Sequence, residues 1–385
     1  MKRILGAAGF RFVVAAQVVW ASACAGGERA SERPVVSYTA VERARSDSAA
    51  QLEWGYSLDV DSRGNIFVAD PTAFSIFSPD GRFLRHVGRP GAGPGEFDYL
   101  RTVNLLPGDS VYAFDAGNSR VTVFEPGTWR TAYTLQVGRD QLFAPRMVRP
   151  VLGGRAISAR IEAAYGDYDG RTPNRRRLAV MRLLNADGSV RRDSVLAFAE
   201  REMLILHNPE GVAPNPFGRT TNLAFVGDDR MITQWSDSLK FDIYSVDGRH
   251  LKTVRPEFSP PRRSITPGER DSVVAELGDA LVPAASVRRA IDEHGATTWP
   301  LAQGMVVDDQ DRVWLGITGL RGEPTHWTAF DLEGRRVARV DLPANAALRL
   351  VRGNTAYTVA KDGDDVPRVV VYELRSSSTL AMNRR

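Results

Sequence analysis

Hydrophobic and polar residues alternate in four short runs between Gly55 and Phe97, the pattern typical of half-buried β-strands. The runs are 56–60, 65–69, 73–78 and 82–87. Turn-forming residues separate them, and the last turn contains Asp80-Gly81, a pair that supplies the positive φ angle of a tight hairpin. This stretch therefore predicts a four-stranded antiparallel sheet.

The same pattern recurs along the chain. Counterparts of the first hairpin turn, at 62–65, occur at 107–109, 153–154, 227–229, 309–311 and 353–354. The strand after each turn carries a bulky third residue: Phe67, Tyr112, Ile157, Ile232, Trp314 and Tyr357. Successive turns are about 45 residues apart where nothing is inserted, which matches the roughly 40 to 50 residues of a β-propeller repeat. We therefore predict an all-β fold, a six-bladed β-propeller that forms a single domain over 34–375.

The last repeat lacks a fourth strand. Residues 34–44, before the first full repeat, read as a strand that completes the last blade and closes the ring without a long exposed edge. The tail 376–385 is predicted to be disordered.

Two motifs resemble those of NHL-type six-bladed propellers, namely GRPGAGPGEF at 88–97 and FDAGNSRVTVF at 114–124. In that family a Gly-Pro-Gly-Glu-Phe connection leads into the next blade, and an Asp-x-x-Asn-x-Arg turn precedes the third strand. The family includes binding proteins, periplasmic lipoproteins, and hydrolases or lyases. The resemblance therefore implies the fold but does not choose among these activities.

Residues 1–23 have the pattern of a secretory signal peptide: three basic residues, then an uncharged run at 12–20 that is too short for a stable membrane span. Removing this segment, with Lys2, Arg3 and Arg11, lowers the formal net charge from +4 to +1. The basic character of the whole chain is therefore no argument for nucleic-acid binding, and no nucleic-acid partner is predicted.

Cys24 is the only cysteine and follows Ala21-Ser22-Ala23, so it resembles the lipidated cysteine of a bacterial lipobox, with Ala21 in place of the usual Leu. The resemblance implies an acylated N-terminus, a small polar tether over 24–33 and attachment to the cell envelope. The outer membrane is favoured because no Asp follows the cysteine, and the protein would face the periplasm or the surface. The alternative is ordinary cleavage after Ala23, which releases a soluble protein with a free thiol.

Four segments break the regular spacing: 161–177, 199–221, 258–300 and 318–323. The blade alignment places them all on the face around the channel mouth, and loops on a rigid scaffold often build binding surfaces. The alternative is that they are tolerated loops without function. Thr266-Pro267-Gly268-Glu269 is a capping box, so the third segment predicts a helical insertion at about 264–294, between blades four and five and packed onto them.

Residues at the predicted channel mouth are the candidate ligand-binding set: Tyr56, Asp70, Arg101, Asp115, Arg146, Arg160 and Trp235. The insertion at 161–177 adds three candidates on the rim: Tyr165, Tyr168 and Arg171. Aromatic residues mixed with arginine suit a protein, peptide or glycan ligand, although the insertion reads equally well as a solvated loop.

The sequence offers little support for a metal site or a catalytic nucleophile. A calcium site needs several converging oxygen ligands, whereas the predicted mouth offers only Asp70 and Asp115, which fit better as turn residues that accept backbone hydrogen bonds. The five histidines lack metal-ligand spacing, and neither a nucleophile elbow nor a phosphate-binding loop occurs. We therefore predict no catalytic residue, no metal and no cofactor, with calcium as the exception to test.

Two functions follow as hypotheses. The first is an envelope-anchored binding or scaffolding protein that presents its insertion-rich face to a ligand or partner. The alternative is a divalent-metal-dependent hydrolase or lyase, similar to a lactonase, that uses the central channel near Asp70 and Asp115. A purely structural role in envelope assembly is not separable from the first hypothesis by sequence.

Overall fold

The computed structural model of the chain describes residues 35–137, 145–162, 176–207, 210–280, 283–320 and 322–376. The predicted signal peptide, Cys24 and the tether lie outside the described residues, as do the rim candidates Tyr165, Tyr168 and Arg171. The predicted tail also lies outside them, except that Ser376 ends the last strand. In the part of the chain that is described, neither helix is both long and apolar enough to cross a bilayer.

Strand β1 (Val36–Arg45) and a 3₁₀ turn (Ser48–Ala50) precede the first sheet, an antiparallel meander in chain order. Its strands are β2 (Ser57–Val60), β3 (Ile66–Asp70), β4 (Ala73–Phe77) and β5 (Phe83–Val87). They match the four runs that alternation predicts. Phe67 and Phe74 are fully buried and pack, with Phe97 and Phe124, between this sheet and the next.

The second sheet repeats this meander with β6 (Leu100–Leu105), β7 (Val111–Asp115), β8 (Arg120–Phe124) and β9 (Thr131–Gln136). The third has five strands, β10 (Pro145–Val151), β11 (Ala156–Glu162), β12 (Arg176–Asn185), β13 (Val190–His207) and β14 (Glu210–Pro214). The fourth comprises β15 (Thr221–Val226), β16 (Arg230–Trp235), β17 (Phe241–Ser245) and β18 (His250–Val254).

The helical insertion consists of α1 (Pro267–Ala280) and α2 (Ala284–His294). The predicted capping box is present: the Thr266 backbone N–H donates to Oε2 of Glu269 at 2.9 Å, and the Glu269 N–H donates to Oγ1 of Thr266 at 3.3 Å. Gly295 ends α2 with a φ of 69°, the left-handed conformation that favours glycine. The prediction of a helical pair at this place is confirmed.

The packing prediction for these helices is wrong. Their apolar faces, including Val274, Val287 and Ile291, pack against Leu204 and Leu206 of β13 and not onto the fourth and fifth repeats. The reason is that β13 continues into the segment 199–221 and pairs with β14, so that a projecting β-hairpin replaces the expected loop. This hairpin has an apolar face of its own, so the hairpin and the helical pair bury each other's apolar faces.

The remaining strands form one eight-stranded sheet in the order β19-β20-β21-β22-β1-β25-β24-β23. They are β19 (Ala302–Val307), β20 (Val313–Ile317), β21 (Thr325–Phe330), β22 (Arg336–Leu342), β23 (Ala346–Arg352), β24 (Thr355–Lys361) and β25 (Pro367–Ser376). β1 pairs antiparallel with β25, so the N-terminal strand completes the last repeat, as predicted. A short parallel pairing with β22, from Val36 to Tyr38, joins the two halves of the sheet.

The sheets have a propeller-like arrangement in which their first strands surround a central channel. β2 contacts β6 and β23, β6 contacts β10, and β19 contacts β15 and β23. Arg149 of β10 lies over the ring of Phe225 of β15. The outer turn of three sheets lies against the outer strand of a neighbouring sheet. The approach is so close that a Cβ at Gly81, Gly188 or Gly248 would collide with a main-chain carbonyl of that strand.

Candidate ligand-binding site

The central channel contains a cavity of about 430 Å³. Its walls come from the first strand of every repeat: β2, β6, β10, β15, β19 and β23. Most of its lining residues have apolar side chains, but polar atoms make up most of the surface that faces the cavity. Its charged side chains are Asp59, Arg149, Arg349 and Arg352, and Tyr56 lies where the cavity meets the channel mouth. The volume falls within the range of small-molecule sites.

Four residues form an aromatic and cationic cluster at the mouth, which we call the mouth cluster: Trp54, Tyr56, Tyr99 and Arg101. The rings of Tyr56 and Tyr99 meet edge to face with centres 5.5 Å apart, and their hydroxyl oxygens are 3.1 Å apart. The guanidinium carbon of Arg101 lies 4.7 Å from the centre of the Tyr56 ring, and its Nη1 donates to the Tyr99 hydroxyl at 3.0 Å. Trp54 stacks on Tyr56 and is 57% exposed.

The two tyrosines of the mouth cluster differ in acidity. Burial and the hydrogen bond to Tyr99 raise the pKa of the Tyr56 hydroxyl. The pKa of Tyr99 is lowered, first by the hydrogen bond from Tyr56 and then by the charges of Arg101 and Arg146. The Tyr56 hydroxyl donates to the Tyr99 hydroxyl, whose oxygen also accepts from Arg101.

Asp70 and Asp115 hold the backbone that carries this cluster. The carboxylate of Asp70 accepts the backbone N–H groups of Glu53, Trp54 and Gly55 at 2.7, 2.7 and 3.0 Å. Asp115, fully buried at the end of β7, accepts the N–H of Tyr99 at 2.9 Å. Both aspartates therefore act as turn residues that position the aromatic side chains. Among the described residues no three His, Cys, Asp or Glu side chains converge as a metal site would require.

Arg160 belongs to a different cluster. At the end of β11, its Nη1 lies 3.5 Å from Oε1 of Glu200, which is only 2% exposed. Arg177 and Arg201 contact the same carboxylate, also at 3.5 Å. Three arginines thus contact one buried glutamate in the third sheet, so Arg160 has a structural partner.

Trp235 also lies apart from the mouth cluster in its contacts. The guanidinium carbon of Arg176 is 4.9 Å from the ring centre of Trp235, and Nε of Arg176 is 3.7 Å from Oε1 of Glu202. Glu202 in turn meets His294 of α2 at 3.4 Å. Of the predicted set, the structure therefore brings Tyr56 and Arg101 together. Arg146, exposed at the start of β10, acts on Tyr99 of the mouth cluster through its charge.

Sequence reasoning missed four residues of this region: Trp54, Tyr99, Arg149 and Arg349. The sequence contains a signal for Trp54 and Tyr99: each is aromatic and lies two residues before a predicted mouth residue, Tyr56 or Arg101. The second two are arginines within first strands, in MVRPV at 147–151 and ALRLV at 347–351. An arginine in such a run indicates a side chain that faces the channel.

No protein-family model matches the chain, and no curated protein matches it in sequence. Solved structures do resemble it. A member of the DUF4221 family from Bacteroides vulgatus is 7% identical, with a TM-score of 0.53 over 89% of this chain and 99% of that one. A gluconolactonase from Xanthomonas campestris is 12% identical, with a TM-score of 0.45 and coverages of 89% and 99%. The WD40 repeats of RRP9 are 11% identical, with a TM-score of 0.46 and coverages of 87% and 100%. Identities this low concern the fold alone.

Proposed function

We propose that this protein is an exported β-propeller, anchored in the cell envelope through Cys24, that binds a protein, peptide or glycan ligand at the mouth of its central channel. The mouth cluster is the observation that carries the proposal. Trp54 presents an open ring face, Arg101 lies over the rings of Tyr56 and Tyr99, and Tyr56 also lines the cavity of about 430 Å³. Exposed aromatic and arginine side chains of this kind are typical of binding hot spots.

We further propose a ring of six blades of the NHL type. The eight-stranded sheet divides at β1 into two units of four strands, β19 to β22 and β23 to β25 with β1, which adds two blades to the four other sheets. The chain of contacts between first strands also supports six. The NHL resemblance gains support from the contacts of Asp115, Asn118 and Arg120 with the glycine-rich connection at 88–97.

The export and anchoring part of the proposal rests on the N-terminal sequence. Replacing Cys24 with Ser tests it: an acylated protein partitions into the membrane fraction and incorporates labelled fatty acid, whereas Cys24→Ser does neither. A wild-type protein that is soluble and unlabelled would leave ordinary cleavage after Ala23 as the correct reading.

The binding function is tested with an array of immobilised glycans and short peptides. We expect Trp54→Ala and Arg101→Ala not to bind the array members that the wild type binds, because each variant removes one contact side chain of the mouth cluster. Tyr133→Ala is the matched control, since Tyr133 is 52% exposed on the outer strand β9, away from the channel. Binding that survives both mouth variants would refute the proposed site.

A further inference from the structure

The walls of the channel cavity carry three arginines and one carboxylate. The carboxylate, Asp59, is already engaged: Oδ1 lies 2.8 Å from Nη2 of Arg352, and Oδ2 accepts the backbone N–H of Leu105 at 2.8 Å. The other two arginines, Arg149 and Arg349, form no ion pair with a carboxylate of the described residues. The cavity therefore has an excess of positive charge.

Two donors on residues that line the cavity are buried without a hydrogen-bond partner among the described residues, Nε of Arg149 and Nδ2 of Asn104. Neither atom exposes surface to the cavity, so the groups that can reach a bound anion are the remaining guanidinium nitrogens of Arg149 and the guanidinium of Arg349. The surrounding protein atoms also lower the pKa of Arg149 and Arg349 by removing water from the charged form. Arg349 nevertheless keeps contact with channel solvent.

The two unpaired arginines reach into the cavity from separate walls. Arg149 belongs to β10 and Arg349 to β23, and the contacts between first strands place β6 and β2 between them on one side and β15 and β19 on the other. The two arginines therefore line one cavity from opposite sides.

We propose that the central channel binds an anionic group of the ligand that the mouth cluster binds, a carboxylate or a phosphate that lies between Arg149 and Arg349. Either oxyanion supplies acceptors for these guanidinium groups, and charge-assisted hydrogen bonds of this kind are strong. The inference rests on the proposed function and deepens it. Because Tyr56 belongs to both the cavity and the mouth cluster, the anionic group enters the channel while the rest of the ligand lies on the mouth cluster.

Inorganic phosphate and acetate are the probes, titrated into the full chain at constant ionic strength. We expect saturable shifts of the Arg149 and Arg349 Nε–H signals in ¹⁵N NMR spectra. Arg149→Gln and Arg349→Gln should each raise the Kd for the tighter probe at least tenfold. Arg130→Gln, a surface control with an 80% exposed side chain, should leave that Kd unchanged. Phosphate tighter than acetate identifies a phosphate group, and the reverse order identifies a carboxylate.

Several outcomes overturn the inference. One is the absence of any shift with both probes, and another is a shift of equal size in wild type, Arg349→Gln and Arg130→Gln, which is a general salt effect. Should Arg149→Gln fail to fold, Arg349→Gln still decides the question. Trp54→Ala separates the two proposals: it should keep phosphate and acetate binding while it loses the array ligands of the mouth cluster.

Discussion

Arg120 donates from Nη2 to the main-chain carbonyl of Glu96 at 2.7 Å, which ties the start of β8 to the connection that enters the second sheet. The same guanidinium also donates to the carbonyls of Ala92 and Gly93. Asn118 donates to the carbonyl of Gly91 at 3.1 Å and to the carboxylate of Asp115 at 2.7 Å. The two motifs that stand out in the sequence are therefore one structural unit, in which the Asp-x-x-Asn-x-Arg turn clamps the glycine-rich connection.

Replacing Arg120 with Ala should destabilise the protein by about 2–4 kcal/mol, because three main-chain carbonyls lose a charged donor in a buried setting. Urea unfolding followed by circular dichroism measures the difference. Arg130→Ala is the control, since its side chain is 80% exposed and pairs with Glu125 only at 3.8 Å, and it should cost less than about 0.5 kcal/mol. Equal losses in the two variants would contradict the role given to Arg120.

Gly88 faces the ring of Phe97, which is fully buried between the first two sheets. Gly88→Ala should be strongly destabilising, because its φ of 104° disfavours an L residue and its new Cβ would overlap the Phe97 ring. Gly108→Ala shares a positive φ of 87° but has no atom within 4 Å of its Cβ position. We expect the latter to cost about 1–2 kcal/mol and Gly88→Ala about 1–3 kcal/mol more, measured by urea unfolding. Similar costs would mean that the ring contact is unimportant.

The hydrogen bond between Tyr56 and Tyr99 predicts that substitutions in the mouth cluster change the pKa of Tyr99. Tyr56→Phe removes the hydrogen bond that most lowers the pKa of Tyr99, so the pKa of Tyr99 should rise toward its ordinary value. Arg101→Ala should raise it as well, through the loss of a positive charge. Spectra of Tyr Cζ-labelled protein, recorded from pH 7 to 12, follow each hydroxyl separately. Tyr133→Phe, on β9, should leave the Tyr99 titration unchanged, and a Tyr99 pKa that neither Tyr56→Phe nor Arg101→Ala changes would contradict this view of the cluster.

Local patterns predicted the strands because alternation and turn residues act within a few positions of each other. NIFVAD at 65–70 becomes β3 and RVWLGI at 312–317 becomes β20, each within one residue at its start. The helical pair was predicted for the same reason, through the Thr266 and Glu269 capping box. These features depend on neighbours in the chain and not on the closure of the ring.

Long-range packing decided what the sequence did not predict. The extension of β13 beyond Ala199 has an apolar face that is stable only because α1 and α2 cover it, so neither insertion could be assigned its packing alone. The channel arginines were missed for a related reason. The local sequence of Arg149 and of Arg349 indicates a channel-facing side chain, but only the arrangement of the six first strands makes the two arginines line one cavity.

Glu202 predicts a pH dependence of stability. Burial opposes its ionisation, but the contact with His294 and the N–H of Arg219, which donates at 2.9 Å, hold the pKa of Glu202 below its usual value near 4.5. A carboxylate with a lowered folded-state pKa stabilises the fold above its unfolded pKa and loses that contribution as the pH falls through the folded value. Glu202→Gln should therefore be less stable than wild type at pH 7, and the difference should shrink below about pH 4.5.

Urea unfolding at pH 7, 5 and 3 tests this expectation. Glu125→Gln serves as the matched control, because Glu125 is 46% exposed and its only ion pair, with Arg130, is loose. The control should differ little from wild type at every pH. A gap between wild type and Glu202→Gln that is the same at all three pH values would show that the charge of Glu202 does not stabilise the contact between β13 and α2.

Calcium separates the binding function from the metal-dependent alternative. In the structure, the carboxylates of Asp70 and Asp115 accept backbone N–H groups, and a metal ion could use them only after those hydrogen bonds break. We therefore expect the same melting temperature in excess EDTA and in millimolar calcium. A ligand at a hundred times its Kd would stabilise the fold by about 2.7 kcal/mol, which a thermal melt resolves. A calcium-dependent rise that Asp115→Asn abolishes would favour the hydrolase or lyase, whereas a rise that Asp115→Asn retains would place the ion elsewhere. No rise would leave Asp70 and Asp115 as the residues that hold Trp54 and Tyr99 in place.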